Sequence, residues 1–319
     1  MNILFAGHKA RGVQCLRALL NAGHRVVAVL VHAGAAGDGS PEESVATAGR
    51  ALGLPVFAPR DVNAPDVLAT LREFAPDLTV LAGYGPIVQP PFIDLARRGA
   101  INLHGGKLPQ YRGSSPMNWA LINGERDFSI SVVRVDRGVD TGDVLLERTF
   151  PIGPDQTIAD LHRIANDSFP QMLLEIIRQI EQGSVRPRRQ DERLAVYYPL
   201  RFPEDGLILW DGCTAEQVHN RIRALADPYP GAFTWWNGIK VKLLRSQLAA
   251  RVWRGEPGRV YQKQARGLLV CAADRCLWIE RAVCEESGED ALALVQRYDK
   301  FATLRDLAVH AASGRVLRV

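Results

Sequence analysis

The segment Met1-Asn-Ile-Leu-Phe-Ala-Gly-His-Lys-Ala-Arg-Gly-Val-Gln-Cys-Leu-Arg-Ala-Leu-Leu-Asn-Ala-Gly-His-Arg-Val-Val-Ala-Val-Leu-Val31 reads as strand, helix and strand. Asn2 to Ala6 is a short apolar run, Gly12 to Ala22 spaces its apolar residues for a helix ended by Gly23, and Arg25 to Val31 is apolar again. The same alternation continues outward. It predicts a helix over Pro41 to Leu52, a strand over Leu54 to Ala58, a helix over Pro65 to Phe74, a strand over Leu78 to Ala82, a helix over Pro91 to Arg97 and a strand over Ala100 to Leu103. Strands alternating with helices at this spacing form a parallel, doubly wound α/β sheet. Ligands of such sheets bind beyond the carboxyl ends of the strands.

The second half differs. Ser129 to Val135 and Val144 to Phe150 read as strands and Thr157 to Gln182 as a long helical region. After Gly183 the composition changes, and Ser184 to Pro203, rich in Arg, Pro and Tyr without a clean period, reads as a linker. Ala215 to Ala226 is an amphipathic helix. Short runs at Ala232 to Trp236, Ile239 to Leu244, Gly258 to Tyr261, Gly267 to Cys271 and Cys276 to Ile279 predict a small β-barrel or open sheet. Trp235 and Trp236 suit a ligand stack, a subunit interface or that unit's own core. The expected division is a catalytic domain over 1–190, a linker over 191–210 and a small β-rich domain over 211–319.

Composition narrows the function. At 319 residues, 47% hydrophobic and 23% charged, the chain has the make-up of a globular protein in two domains. Its amino terminus enters a strand directly and no apolar run reaches the roughly 18 residues of a membrane span, so a cytoplasmic protein is expected. The five cysteines, Cys15, Cys213, Cys271, Cys276 and Cys284, lack a CxxC spacing and read as buried free thiols rather than a disulfide framework or zinc site. A net charge of +4 fits a phosphate-bearing substrate without demanding nucleic acid. Gly7 and Gly12 are followed by no Lys-Ser/Thr and form no GxGxxG, which weighs against phosphate-loop ATPases and nicotinamide dehydrogenases.

The chemistry concentrates in Ala100-Ile-Asn-Leu-His-Gly-Gly-Lys-Leu-Pro-Gln-Tyr-Arg-Gly113 and Val139-Asp-Thr-Gly-Asp143. Asn102 and His104, two apart on a strand, point to one face at its carboxyl end. Acyl transfer to an amine passes through a tetrahedral intermediate whose oxygen gains charge and whose nitrogen loses a proton. The Asn102 amide suits the oxygen, His104 the proton, and Asp140 the orientation and charge of the imidazole; Asp143 is a weaker competitor for that post. A loop-bracing histidine and an Asn-made turn are the plainer alternatives.

Residues Asn102 to Pro116 and Asp140 to Asp143 resemble the folate-dependent formyltransferases, in which an Asn-x-His pair and an Asp form a triad around 10-formyltetrahydrofolate. The resemblance reaches Ala226-Asp-Pro-Tyr-Pro-Gly-Ala-Phe233 and implies a Rossmann-like, mostly parallel catalytic domain followed by an OB-like β-rich one. With Val56-Phe-Ala-Pro-Arg-Asp-Val-Asn63 and Pro116-Met-Asn-Trp-Ala-Leu-Ile-Asn-Gly-Glu125 it is nearest in kind to the sugar-nucleotide N-formyltransferases, such as those acting on UDP-4-amino-4-deoxy-arabinose. Methionyl-tRNA formyltransferases are the alternative; they usually carry a basic insertion after the second strand, whereas His32-Ala-Gly-Ala-Ala-Gly-Asp-Gly-Ser40 is small and nearly uncharged. A nucleotide-linked amino sugar is thus the expected acceptor, with no nucleic-acid or membrane partner. A catalytically silent nucleotide-binding protein and a 10-formyltetrahydrofolate hydrolase complete the alternatives.

By the same resemblance the folate sits against Leu81, Tyr84, Ile87, Gly113, Ser115, Asp136, Gly138 and Asp143. His8, Lys9 and Arg201 meet the acceptor's phosphates, although a packed Tyr84 and a solvated Arg201 are equally ordinary readings. No metal is implied, and a homodimer through the C-terminal domain is one arrangement open to the chain. The family's common His-Gly-Ser-Leu-Leu-Pro is here His104-Gly-Gly-Lys-Leu-Pro109, so Gly106 lacks a hydroxyl and Lys107 adds a charge at the rim.

Overall fold

β1 (Asn2–Gly7), β2 (Arg25–Leu30), β3 (Val56–Phe57), β4 (Leu78–Ala82), β5 (Ala100–His104), β7 (Asp127–Arg134) and β8 (Val144–Pro151) form a seven-stranded sheet in the order β3-β2-β1-β4-β5-β7-β8. The computed structural model describes residues 1–33, 44–306 and 308. The first five strands in that order are parallel, and β7 runs antiparallel to β5. Between them lie α1 (Lys9–Asn21), α2 (Val45–Ala51), α3 (Pro65–Glu73), α4 (Pro90–Ile93), the two-residue strand β6 (Arg112–Gly113) and α5 (Pro116–Ile122). The expected doubly wound α/β sheet is present.

Coverage of both faces explains the unbroken apolar strands. Leu4, Ala6, Ala28 and Leu30 share a buried cluster with Leu68 and Leu71 of α3 and Phe92 of α4. On the opposite face α2 approaches so closely that a Cβ on Gly49 would stand 2.9 Å from the Val56 side chain. Gly7 and Gly12 serve the same end: a Cβ on Gly12 would meet Val45 at 2.6 Å and the Gly7 backbone at 3.1 Å. The glycine pair is a packing contact between β1 and α1.

Some boundaries moved. The helix expected over Pro41 to Leu52 is described from Val45, capped by the Ser44 hydroxyl accepting from the Thr47 N–H at 3.1 Å, and 41–43 lie outside the described residues. The helix read over Pro91 to Arg97 is the single turn of α4, and α5 has no counterpart in the sequence reading. Ser184 to Pro203 is no loose connection: Arg188 bridges Val144, and β9 (Tyr197–Tyr198) pairs in parallel with β6.

By contacts the chain divides into two units. One comprises Met1–Pro116, Phe128–Phe150 and Arg163–Pro199; the other comprises Met117–Asp127, Pro151–His162 and the chain from Leu200. α6 (Ile158–Gln182) begins in the second and continues in the first. The second unit contains α7 (Ala215–Ala224), β10 (Ala232–Trp236), β11 (Ile239–Leu248), β12 (Val260–Gln264), β13 (Gly267–Cys271), β14 (Cys276–Cys284) and α8 (Ala291–Leu294). Its five strands are antiparallel in the order β10-β11-β14-β13-β12. β11, β12 and β14 outrun the short apolar runs that announced them, because the residues that extend them are largely polar and only partly buried.

α7 opens on a capping box in which Thr214 and Gln217 satisfy each other's backbone N–H groups. It lays Val218 and Ile222 on a core of Trp210, Leu243, Val270, Leu277 and Phe301. Trp236 packs against that core from its margin, so the core reading of this tryptophan holds.

Trp210 is fully buried, stacks on Phe301 with ring centres 5.6 Å apart, and donates its indole N–H to the Thr234 hydroxyl at 2.9 Å. Trp210→Ala is expected to cost about 3–5 kcal/mol in denaturant unfolding, whereas Trp253→Ala, at a 44% exposed position, costs less than about 0.5 kcal/mol.

Candidate active site

β5 carries Asn102 and His104 to its carboxyl end, where the strand breaks into Gly105 and Gly106. The loop after β7 supplies Asp140, held in the left-handed region at φ 54°. Its approach is shaped by Asp136, whose carboxylate accepts from the Gly138 N–H at 3.0 Å and from the Thr141 hydroxyl.

The Asp140 carboxylate gathers the site. One oxygen accepts from Asn102 Nδ2 at 3.3 Å; the other accepts from the Gly113 N–H at 3.0 Å and lies 3.4 Å from His104 Nδ1. His104 Nε2 stands 2.6 Å from the Tyr111 carbonyl. A carbonyl only accepts, so Nε2 carries the hydrogen, and in the neutral ring the lone pair is on Nδ1, toward Asp140. Amide donor, imidazole lone pair and carboxylate thus meet at one place, with His104 only 5% exposed.

Gly106 has a local reason. A Cβ there would stand 2.7 Å from His104 Nε2 and 2.6 Å from the Tyr111 oxygen, so in this chain a side chain would displace the contact that pins the ring. Its carbonyl also accepts from the Ser131 hydroxyl at 2.9 Å. Lys107 is exposed.

Beside Asn102 and Asp140 opens a cavity lined by Leu81, Tyr84, Ile87, Asp136 and Gly138 among others. Its walls are mostly apolar. Among the described residues the buried Tyr84 hydroxyl has no hydrogen-bond partner, and burial pushes its pKa up to about 12. Asn63 supports one wall, its side chain donating to the Ile87 carbonyl at 3.0 Å and accepting from the Gln89 N–H at 2.8 Å. Gly113, Ser115 and Asp143 do not line this cavity: Gly113 binds Asp140, Ser115 is a left-handed residue at φ 53°, and the Asp143 carbonyl accepts from the Arg134 N–H.

Of the proposed phosphate-facing residues, His8 and Lys9 fall in one unit and Arg201 in the other. His8 follows β1 at the N-cap of α1, its ring centre 4.2 Å from that of His32, and Lys9 is exposed at φ 54°. Arg201 belongs to the second unit, where its guanidinium lies 4.7 Å from the Trp119 ring centre and donates to the Asp205 carbonyl at 3.2 Å. Burial lowers its pKa from the ordinary arginine value.

Sequence reasoning missed the support of Asp140. Gln190, 5% exposed, donates its side-chain amide to the carbonyls of Asp140 at 2.7 Å and Gly142 at 2.6 Å, and its own oxygen accepts from Arg112 Nε at 3.0 Å. The Arg112 side chain is completely buried; it is held by Glu192 at 2.9 and 2.6 Å and by the Tyr197 hydroxyl at 2.8 Å. The Glu192 hydrogen bonds hold the arginine above its ordinary pKa. Backbone bonds from Val196 to Pro109, Arg112 to Val196 and Ser114 to Tyr198 complete the strap. An arginine inside the signature and a Gln-Asp-Glu run were the only sequence signs, and neither has a period.

Residues 1–177 match the family described as Formyl transferase, and residues 202–291 match Formyl transferase, C-terminal domain. The chain belongs to the formyl transferase family. It is a formyltransferase that uses formyl-tetrahydrofolate. The chain is 38% identical over 291 residues to a methionyl-tRNA formyltransferase of Anaeromyxobacter dehalogenans, covering 89% of this chain and 93% of that protein. A methionyl-tRNA formyltransferase of Geobacter metallireducens is 33% identical, covering 92% and 95%. Among solved structures, an N-formyltransferase from Helicobacter canadensis superposes with a TM-score of 0.71 at 18% identity over 88% of this chain and 99% of that one. That likeness is one of fold.

The expectation of a sugar-nucleotide acceptor is overturned by these full-length relatives. The segments on which it rested do scaffold work. Val56 and Phe57 form β3, Asn63 props the cavity wall, Asn118 donates to the Ala224 carbonyl at 2.8 Å to close α7, and Tyr229 turns back to Ala226. Of the small uncharged stretch, residues 34–40 lie outside the described residues.

Among the described residues no group of three or more His, Cys, Asp or Glu side chains is placed to hold a metal, and no helix is long and apolar enough to cross a membrane. Removing the Gln190 amide leaves Asp140 at φ 54° without its clamp. Gln190→Ala is expected to lower turnover by about 10- to 100-fold with little change in the far-ultraviolet circular dichroism, as small misplacements in active sites do. Wild-type turnover in that variant would show that the loop holds itself.

Proposed function

We propose that this formyltransferase passes the formyl group of 10-formyltetrahydrofolate to the free amine of methionyl-tRNA. The supporting observation is its 33–38% identity to methionyl-tRNA formyltransferases over nearly the full length of both partners. 10-Formyltetrahydrofolate supplies an activated formyl carbon. The cavity beside Asn102 suits its flat ring, with apolar walls, backbone polar groups and the buried Tyr84 hydroxyl at hand.

In this reading the residues divide the work by their donors. Asn102 Nδ2 has two hydrogens and spends one on Asp140, so the other serves the formyl oxygen as it gains negative charge; losing such a donor costs on the order of 3 kcal/mol. His104 takes the amine proton on Nδ1, because Nε2 is committed to the Tyr111 carbonyl. Asp140, 3.4 Å from Nδ1, then faces an imidazolium.

The acceptor's phosphates need cations, and the 32–40 stretch contains no Lys or Arg. Exposed Arg251, Trp253 and Arg254 on the second unit are suited to phosphate contact and base stacking.

The deciding assay offers the purified protein 10-formyltetrahydrofolate with methionyl-tRNA beside dTDP- and UDP-linked amino sugars. Formyl-methionyl-tRNA is the expected product, and formylation of an amino sugar alone would overturn the acceptor. Asn102→Ala and His104→Ala are each expected to reduce turnover about 10²-fold or more with the fold intact. Arg251→Ala and Arg254→Ala should each flatten the salt dependence of tRNA binding by about one unit of slope, without changing kcat.

A further inference from the structure

The β13–β14 hairpin turns at Ala273 and Asp274, closed by the Ala272 N–H donating to the Arg275 carbonyl at 2.9 Å. The next residues opposite each other are Cys271 and Cys276. Their N–H groups point outward, Cys271 to the Arg259 carbonyl at 3.1 Å and Cys276 to the Trp253 carbonyl at 2.8 Å. They therefore form a non-hydrogen-bonded pair, the place where antiparallel strands bring Cα atoms to about 4.5 Å. That spacing falls within the roughly 4.4–6.8 Å that a disulfide spans.

The side chains meet on the sheet face that also carries Leu269 and Trp278, away from the main core of the unit. The Cys271 thiol donates to the Gly255 carbonyl at 3.4 Å. Donation from Cys276 holds the Cys271 thiol below its ordinary pKa, while Cys276, as the donor, is pushed up. The other cysteines lie elsewhere, on α1, before α7 and at the far end of β14. Burial pushes the Cys15 thiol up to about 12.

We infer that Cys271 and Cys276 are a modification site, a buried dithiol that a hydroperoxide converts into a cross-strand disulfide. The Cys271 thiolate attacks one peroxide oxygen; an S–O bond forms, the O–O bond breaks, and the leaving oxygen takes a proton and departs as water or alcohol. Cys276 sulfur then attacks the sulfenic sulfur; the S–S bond forms, the S–O bond breaks, and hydroxide leaves as water with the Cys276 proton. Two thiols lose two electrons to one peroxide.

Both thiols are about 1% exposed, so the reaction needs an opening. Their cover supplies one: residues 251–256 are six consecutive exposed residues outside any helix or strand. Local opening of such a segment precedes global unfolding, and a hydroperoxide is small enough to use it.

The test treats the intact protein with hydrogen peroxide, blocks remaining thiols after unfolding, and maps the peptides. The expected result is a Cys271–Cys276 peptide lighter by two hydrogens, formed while Cys15 stays free and reversed by dithiothreitol. In Cys276→Ser, Cys271 is expected to stop at a sulfenic acid that dimedone traps. Two results would overturn the site: both thiols remaining free at a dose that oxidises half-buried Cys213, or Cys271 in the unsubstituted protein passing to the sulfinic acid with no cross-link. The mapping of the unsubstituted protein stands even where a variant folds poorly.

Discussion

The Asp140 carboxylate is the point through which the candidate site is assembled. Its two oxygens receive an amide from β5 and a backbone N–H from β6, and face an imidazole nitrogen also carried by β5, so two separate chain segments are registered against one charge. A mostly buried carboxylate without such partners would be strongly disfavoured. The loop that delivers it is itself in an unfavourable left-handed conformation at φ 54°, which costs of order 1 kcal/mol and persists only when the surroundings impose it. Gln190 imposes it, by holding the carbonyls on both sides of Thr141, and Arg112 in turn holds Gln190.

That hierarchy explains what could be read from the chain alone. β1, β2, β4 and β5 were legible because burial on both faces demands continuous apolar runs, and Asn102 and His104 were legible because a strand tip with period two puts them side by side. The strap from Arg188 to Tyr198 was not. It acts through Gln190, Glu192 and the edges of its backbone, none of which leaves a periodic trace, so its composition resembled a linker. The cysteine pair was hidden for a related reason: its closeness comes from hairpin register, whereas a search for CxxC tests only closeness along the chain.

The acceptor was misread because the segments used to infer it hold the scaffold together. Asn118 closing α7 and Asn63 bracing the cavity wall would be needed whatever amine is formylated. Chemistry that depends on three side chains leaves a compact signature. Recognition of a polyanion is different: it is spread over many weak, salt-screened contacts, and no single loop need carry it. The poverty of charge in residues 32–40 therefore says little about a chain with 39 Lys and Arg residues.

The tautomer of His104 restricts the chemistry further. With Nε2–H fixed on the Tyr111 carbonyl, the ring has one nitrogen left for proton traffic, and that nitrogen faces both the carboxylate and the side of the site where Asn102 stands. A ring free to rotate could take a proton on one nitrogen and lose it to bulk water from the other. This ring cannot, so a proton accepted on Nδ1 leaves from Nδ1, into the same small space. Gly106 is the residue that allows this, since any Cβ there would intrude between the imidazole and the carbonyl that anchors it. The absence of a Cβ at position 106 is thus what leaves room for the pinned imidazole in this chain.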